Sequence, residues 1–161
     1  MKRFFSLLAA LAATLLHGCD TADFYNLKPG VSTAAEVFER MGLPAAEYPN
    51  PDGTTTYEYP RGPNGVHCHM VTVGADKILV RIDQVLTEAN FAKVKEGMSR
   101  EEVRRLLGRP GETTNFPMKK EEVWDWRYEG TPQVNEYHFH VHFDPGTGKV
   151  LTTSRRTVNH G

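Results

Sequence analysis

The clearest pattern of polar and apolar positions lies in the stretch VKEGMSREEVRRLLGRPG, residues 94–111. Its apolar residues recur at the spacing of one helix face (Val103, Leu106 and Leu107). Ser99 stands where a helix N-cap would lie, and Glu102, three residues later, completes a capping box. Gly108 is placed for a left-handed turn after the helix. The pattern predicts a short helix with defined ends, and the preceding TEANFAKVKEG, residues 87–97, predicts another before it.

After these helices the apolar positions recur every second residue, which is typical of half-buried strands. In VWDWRYE, residues 123–129, the aromatic side chains share one face and the charged side chains share the other. EYHFHVHFD, residues 136–144, alternates in the same way. DPGTGK then forms a turn, and VLTTSRRTV, residues 150–158, returns as a third strand. This half of the chain is predicted to run helix, helix, strand, strand, strand.

The first half of the chain repeats this order. LKPGVSTAAEVFERMGLPA, residues 27–45, is similar to the helical stretch above, and three alternating segments follow it (54–59, 66–73 and 77–85). The chain is therefore predicted to be an internal duplication. Ser32 falls opposite the cap Ser99, and Ala35 takes the place of the boxed glutamate. We therefore expect the helix of the first copy to be less well fixed.

The two copies define the expected fold and domains. The predicted class is α+β, with two tandem helix-helix-strand-strand-strand repeats that form a largely antiparallel sheet with helices packed on one face. The first repeat is expected to span residues 19–86 and the second residues 87–161.

The N-terminus, residues 1–18, has the pattern of an export signal. Lys2 and Arg3 precede an apolar run, residues 4–16, that is too short to span a membrane. LHGC, ending at Cys19, is similar to the lipobox of bacterial lipoproteins. This similarity implies that the signal is removed before Cys19 and that Cys19 carries the lipid, including palmitate-like acyl chains. The alternative is a secreted protein with a chance cysteine at the cleavage site.

Composition argues against a disordered chain and against a nucleic-acid partner, and the cysteine count argues against a disulfide. The chain is 39% hydrophobic and 24% charged with a formal net charge of -1, so it is neither disordered nor basic, and no nucleic-acid partner is expected. Of the two cysteines, Cys19 is assigned to lipid. We therefore predict no disulfide, and a buried thiol at Cys68.

Histidines on two strands are the candidate metal ligands. His138, His140 and His142 lie at i, i+2 and i+4 on one strand face, and His67 and His69 lie on the matching strand of the first repeat. Imidazoles in this arrangement can bind zinc or copper. A solvated sheet face explains them without a ligand, because the alternate residues supply the inward set (Tyr137, Phe139, Val141 and Phe143). No metal and no cofactor are predicted, and these five histidines are the candidate ligands if a metal binds.

The sequence lacks the motifs of common catalytic sites. DPGTGK has neither the glycine spacing nor the following Ser or Thr of a phosphate-binding loop. No G-x-S-x-G elbow or H-E-x-x-H pair is present. An enzyme is not expected, and no catalytic residue is assigned.

Four features together resemble the BamE family, also called SmpA/OmlA, of small bacterial lipoproteins. They are the lipobox at Cys19, the glycine-to-serine step at 97–99, the Gly-x-Pro exit at 108–110 and the aromatic strand at 124–128. The resemblance covers nearly all of the mature chain. It implies a non-enzymatic lipoprotein that scaffolds or modulates assembly of outer-membrane β-barrel proteins through contacts with protein partners such as the β-barrel assembly machinery. No partner-binding residue is carried over from the family.

The resemblance also implies a cellular location, and the duplication suggests an alternative function. The protein is expected in the envelope of a Gram-negative bacterium, lipid-anchored and facing the periplasm, with the outer membrane favoured. Asp20 resembles an inner-membrane retention signal, so an inner-membrane location is the alternative. Two tandem units are also similar to the β-lactamase-inhibitory proteins. The alternative function is therefore an inhibitor-like or ligand- or metal-binding module that uses the exposed sheet face.

Overall fold

The computed structural model describes residues 26–61, 65–130 and 135–159. The signal peptide, the lipid attachment at Cys19 and residues 21–25 of the first helix expected in repeat 1 (residues 21–30) lie outside the described residues. Residues 26–30 are described and contain no α-helix, so that part of the expectation was wrong. None of the helices within these ranges is long and apolar enough to cross a membrane.

The N-terminal unit, residues 26–86, packs one helix on an antiparallel sheet. Helix α1 (Ala34–Met41) is followed by strands β1 (Ala46–Pro49), β2 (Thr55–Pro60), β3 (Cys68–Val73) and β4 (Leu79–Gln84). The strands pair in the order β1-β2-β3-β4. The helix buries Ala34 and Val37 in a cluster with Tyr57, Val71 and Leu79 of the sheet.

The C-terminal unit, residues 87–159, has the same arrangement with one more helix. Helices α2 (Glu88–Phe91) and α3 (Arg100–Leu107) precede strands β5 (Glu112–Phe116), β6 (Glu121–Tyr128), β7 (Asn135–Phe143) and β8 (Val150–Asn159). The strands form a second antiparallel sheet in the order β5-β6-β7-β8. Phe139, Val141 and Phe143 are fully buried, so the predicted inward face of β7 is confirmed for these three residues.

The α+β class and the antiparallel pairing are confirmed, but each unit has four strands where three were predicted. The additional strands, β1 and β5, are edge strands. In β5 no residue is buried, and in β1 only Tyr48 is. An edge strand with so little buried surface carries no alternation of apolar and polar residues, which is why the pattern did not reveal it.

Both α1 and α3 begin with a complete capping box. Ser99 caps α3 and pairs with Glu102, as predicted. Thr33, not Ser32, caps α1, and its backbone N–H donates to Glu36 Oε2 at 2.7 Å. The expectation that the first helix is less well fixed was therefore wrong, because the alignment placed its cap one residue too early.

Helix α3 lies between the two sheets. Its buried Val103 and Leu107 belong to one apolar cluster with Met70 of the first sheet and Trp126 and Phe139 of the second. The first sheet is therefore covered on both faces, by α1 on one side and by the C-terminal unit on the other.

A buried carboxylate fixes α3 to the first sheet. Glu58 of β2 has no exposed surface. Its carboxylate accepts hydrogen bonds from the Tyr48 hydroxyl at 2.6 Å, from the Arg109 backbone N–H at 2.9 Å and from Arg104 Nε at 3.3 Å. The C-terminal unit thus supplies two of the three donors to a charge buried in the N-terminal unit.

Glycines end α1 and α3 in the same conformation. Gly42 has φ 78° and ψ -165°, and Gly108 has φ 78° and ψ -174°. The positive φ was expected, but ψ lies outside the left-handed helical region, in a region that is essentially restricted to glycine. Each glycine carbonyl accepts a hydrogen bond at 3.1 Å, from the Tyr59 hydroxyl and from Trp126 Nε1 respectively.

Gly108 also allows the two units to touch. A Cβ atom at this position would lie 2.4 Å from Cys68 Sγ of the first sheet, whereas one at Gly42 would have no atom within 4 Å.

Candidate functional site

The most distinctive polar surface is the outer face of the second sheet. We call it the histidine face and define it by six side chains (Glu121, Asp125, His138, His140, His142 and Ser154). Strand register explains why they meet: Asp125 on β6, His140 on β7 and Ser154 on β8 are direct cross-strand partners. Residues two apart on a strand share a face, which adds the remaining histidines.

Asp125 is the centre of this face. Its carboxylate lies 2.9 Å (Oδ1) and 3.1 Å (Oδ2) from His138 Nδ1. Oδ2 also lies 3.1 Å from His140 Nε2. Burial acts to raise the pKa of the Asp125 carboxyl, but hydrogen bonds from His140 and His138 outweigh it and hold that pKa below its usual value. Asp125 is therefore an ionised acceptor shared by two imidazoles.

The contacts continue from His140 to the other end of the face. His140 Nδ1 lies 3.2 Å from Ser154 Oγ, which lies 2.9 Å from His142 Nε2. His142 Nδ1 lies 3.0 Å from Glu121 Oε2. Each of the four contacts from Asp125 to Glu121 needs one hydrogen, but two neutral imidazoles and one hydroxyl supply only three. With both carboxylates ionised and both imidazoles neutral, one of the four contacts therefore lacks a hydrogen.

These side chains are less exposed than a solvated sheet face would be. The exposed fractions are 13% for His138, 17% for His140, 20% for His142 and 18% for Asp125. Next to them an open groove of about 290 Å³ is lined by Glu121, Asp125, His140 and His142, among others. The cluster is thus half-buried but reachable from solvent.

Three of these residues could hold a metal ion. One ligand atom from each of Asp125, His138 and His140 lies within 4.8 Å of the other two. Of the predicted candidates, His138 and His140 are therefore brought together. His142 is separated from this set by Ser154.

The remaining two candidates lie elsewhere. His67 and His69 belong to the first unit, whose strands form a separate sheet, so they add no ligand to the histidine face. His67 Nε2 pairs with Glu129 Oε2 at 3.0 Å. Burial, followed by the positive charges of Arg61 and His67, lowers the pKa of His69 to about 4.

The predicted buried thiol is confirmed. Cys68 is 1% exposed and is a free cysteine. Burial, and secondarily the charge of Glu58, raises the pKa of Cys68 to about 12. It is therefore a protonated apolar group at neutral pH, not a nucleophile.

Asp125, Ser154 and Glu121 were missed as members of the site. The alternation in VWDWRYE did place Asp125 on the face opposite the tryptophans. Only the register between β6, β7 and β8 shows that this face is the one that carries the histidines.

A second exposed feature adjoins the groove at the turn between β5 and β6. We call it the hairpin tip and define it as Phe116, Met118, Lys119 and Lys120. Met118 is 99% exposed and Phe116 is 41% exposed. The tip therefore presents a methionine and a phenylalanine, which are residue types enriched in protein interfaces, beside two lysines.

The C-terminal unit is, by fold and site, a small α+β domain that exposes one polar sheet face. Residues 83–151 match the family model of the outer membrane protein assembly factor BamE domain. The chain belongs to the BamE family.

Three solved structures are similar to this chain over different shares of its length. The osmotically inducible lipoprotein OsmE is 31% identical over 44% of this chain and 72% of its own, with a TM-score of 0.37. A protein from Streptococcus mutans described as a β-lactamase inhibitor is 10% identical over 85% of this chain and 97% of its own, with a TM-score of 0.33. The DUF4309 family protein YjgB from Bacillus subtilis is 16% identical over 83% of both chains, with a TM-score of 0.31. None of the curated proteins compared with the chain matches it.

Proposed function

We propose that the protein is a lipid-anchored, non-enzymatic accessory of outer-membrane β-barrel assembly that acts by binding protein partners. The observation that carries this proposal is the match of residues 83–151 to the BamE domain of an outer membrane protein assembly factor. The similarity to the lipoprotein OsmE supports an envelope lipoprotein of a Gram-negative bacterium. In this proposal Cys19 carries the lipid, the protein faces the periplasm, and the outer membrane is its location.

Two tandem copies of the domain, residues 19–86 and 87–161, form part of the proposal. Both units carry a helix with a capping box, a glycine exit and four antiparallel strands, which supports a duplication. The shared cluster around α3 makes the two copies one larger scaffold rather than two linked domains.

The hairpin tip is the proposed partner contact. Met118 and Phe116 are exposed large apolar side chains within the matched residues, and leaving them in water is unfavourable unless a partner covers them. Lys119 places its Nζ 5.8 Å from the Phe116 ring centroid, so the aromatic and basic groups form one patch. An assembly subunit with an apolar groove rimmed by acidic residues would complement it.

The proposal assigns no catalytic residue, and it includes no role for a reactive thiol among the described residues. The described cysteine, Cys68, is buried and has a raised pKa.

Affinity capture of the tagged, lipidated full chain from gently solubilised envelopes tests the proposal, with mass spectrometry of the bound proteins. β-Barrel assembly subunits should be enriched, and Cys19→Ala should lose them. Met118→Glu should reduce their recovery about fivefold, as expected from losing roughly 1 kcal/mol at an interface. Leu43→Glu is the matched control, because Leu43 is 89% exposed in the other unit and should leave recovery unchanged.

One result would reject the assembly role, and another would reject the hairpin tip as the partner contact. Capture of one unrelated enzyme, equally well by Cys19→Ala, would instead indicate the inhibitor-like module. Recovery of assembly subunits that Met118→Glu and Leu43→Glu reduce equally would move the contact away from the hairpin tip.

A further inference from the structure

We propose that Asp125, His138 and His140 bind one divalent cation of the zinc class, with solvent as the fourth ligand. This inference rests on the geometry of the histidine face and is independent of the role in outer-membrane assembly.

The three ligand atoms are already close to the positions that a cation requires. Zinc bonds to imidazole nitrogen and carboxylate oxygen are about 2.0–2.2 Å, so ligand atoms of a tetrahedral site lie roughly 3.3–3.5 Å apart. His138 Nδ1 and His140 Nε2 each lie 3.1 Å from the same oxygen, Asp125 Oδ2. Each nitrogen therefore needs to move only a few tenths of an ångström from that oxygen to admit the ion.

Adjacent strands hold the ligands in place. Asp125 and His140 are direct partners across β6 and β7, and His138 lies two residues from His140 on the same face. Ligands on paired strands of a hydrogen-bonded sheet are better fixed than ligands on loops, which favours a preformed site.

Each imidazole has an oxygen near its second nitrogen. A metal-bound histidine usually donates its other N–H to a carboxylate, a carbonyl or another oxygen, and this contact orients the ring. Ser154 Oγ lies 3.2 Å from His140 Nδ1, and Glu136 Oε2 lies 3.6 Å from His138 Nε2. His138 Nε2 is a buried atom with no hydrogen bond in the described structure, and a cation at Nδ1 would make it a donor facing Glu136.

A cation also satisfies the rest of the histidine face with neutral imidazoles. With the ion on Nε2 of His140, Nδ1–H donates to Ser154, the Ser154 hydroxyl donates to His142 Nε2, and His142 Nδ1–H donates to Glu121. Every contact then has its hydrogen.

The groove supplies both access and space for the fourth ligand. It is open to solvent, holds about 290 Å³ and includes Asp125 and His140 in its lining. Glu112 and Glu121 line the same groove, along with Lys119 and Arg156. The position left by three protein ligands is thus accessible to water.

Titration of Zn²⁺ into the full chain, purified in detergent and without a histidine tag, tests the site. One saturable ion per chain is expected by calorimetry and by competition with a chromophoric chelator. Asp125→Asn, His138→Ala and His140→Ala should each weaken binding by more than about tenfold, and Ser154→Ala should weaken it by about tenfold. Circular dichroism of each apo variant establishes that it is folded.

His142→Asn and His67→Asn are the controls. His142 lies on the same strand face but outside the ligand set, so its replacement should change affinity by less than about threefold, a change smaller than loss of an outer-shell contact gives. In the intact chain, imidazole ¹⁵N spectra should show zinc at Nδ1 of His138 and at Nε2 of His140.

The proposal would be overturned by an absence of saturable heat with the folded wild-type chain. It would equally be overturned if His67→Asn lost the ion, if the Asp125, His138 and His140 variants bound as tightly as wild type, or if the spectra placed zinc on His142.

Discussion

At the scale of single residues, Glu58 determines how firmly the C-terminal unit is held to the first sheet. Its buried carboxylate faces the Tyr48 hydroxyl and Arg104, and its negative charge, after burial, raises the pKa of Tyr48. Removing one partner of a buried polar network leaves the others without compensation. The network therefore affects stability mainly through the buried polar groups that its loss would leave without partners.

Glu58→Ala should lower the free energy of unfolding by about 3 kcal/mol, because it leaves a buried hydroxyl and a half-buried guanidinium without their acceptor. Glu58→Gln should cost less, since an amide oxygen at the Oε1 position still accepts from the Arg109 N–H and the amide NH2 can donate to the Tyr48 hydroxyl oxygen. Urea denaturation measures both. The control is Glu47→Ala on the neighbouring strand, where the glutamate is exposed and a change within about 0.5 kcal/mol is expected. Equal costs at both positions would contradict this role for Glu58.

His69 should make stability depend on pH. Its pKa is lowered to about 4 by burial and by the charges of Arg61 and His67, whereas an unfolded histidine titrates near about 6.5. Between these values the unfolded chain binds a proton that the folded chain does not, so stability falls as pH falls. His69→Gln should reduce the stability lost between pH 7 and pH 4.5 by on the order of 1 kcal/mol, discounted for partial exposure.

Thermal unfolding at the two pH values measures the effect of His69. His67→Gln, in a side chain that is 39% exposed, is the comparison and should leave most of the pH dependence in place. An unchanged pH dependence in His69→Gln would show that other groups cause the loss.

The histidine face shows what single residues reveal before the structure is known. Alternation along β7 correctly separated His138, His140 and His142 from the buried Phe139, Val141 and Phe143. It could not identify Asp125 and Ser154 as their partners, because those contacts depend on the register between neighbouring strands, which alternation within one strand does not specify.

At the scale of elements, local sequence carried most of the information. Capping residues, glycine exits and period-two alternation are short-range signals, and α3 and strands β2 to β4 and β6 to β8 lie where these signals placed them. The edge strands β1 and β5 bury too little to leave such a signal. The misplaced cap of α1 came from aligning the two copies one residue out of register, although Thr33 and Glu36 are the correct residue types.

The two helix-ending glycines offer a matched pair of substitutions. Gly42→Ala should cost about 1–3 kcal/mol, because alanine must adopt a backbone region that only glycine enters readily. Gly108→Ala should carry the same strain and about 1–3 kcal/mol more, because its Cβ would clash with Cys68 Sγ. Urea midpoints of the two variants give the difference.

The clash itself is checked by adding Cys68→Ala, which removes Sγ and leaves the Cβ atoms 3.5 Å apart. In a double-mutant cycle this change should recover at least 1 kcal/mol of the Gly108→Ala loss and none of the Gly42→Ala loss. Additive costs at both glycines would mean that the two units do not approach each other at Gly108.

At the scale of the whole molecule, the two units share one core. The cluster that contains α3 draws residues from both sheets, and Val85 and Leu86, which connect the units, belong to it. Sequence showed that the chain has two similar halves but not which faces they bury against each other, since that contact depends on tertiary packing.

The shared core predicts a single unfolding transition. Tryptophan fluorescence reports only on the C-terminal unit, where Trp124 and Trp126 lie, whereas far-UV circular dichroism reports on both units. Their urea midpoints should coincide, and Leu86→Ala should lower both together, by an amount that corresponds to a loss of about 2–4 kcal/mol in the free energy of unfolding. An earlier fluorescence transition, or a shift in one signal alone, would show that the units unfold separately.

The buried connection also bears on how the molecule is degraded. Val85 and Leu86 are each 6% exposed, and the Val85 N–H donates to the Cys68 carbonyl at 2.9 Å. Proteases cut preferentially at exposed segments whose backbone makes few hydrogen bonds, and the Val85–Leu86 connection is not such a segment. Turnover should therefore begin at the exposed turns or after unfolding of the whole chain, and a half-molecule released by cleavage between the units would not persist, since its share of the core would be open to water.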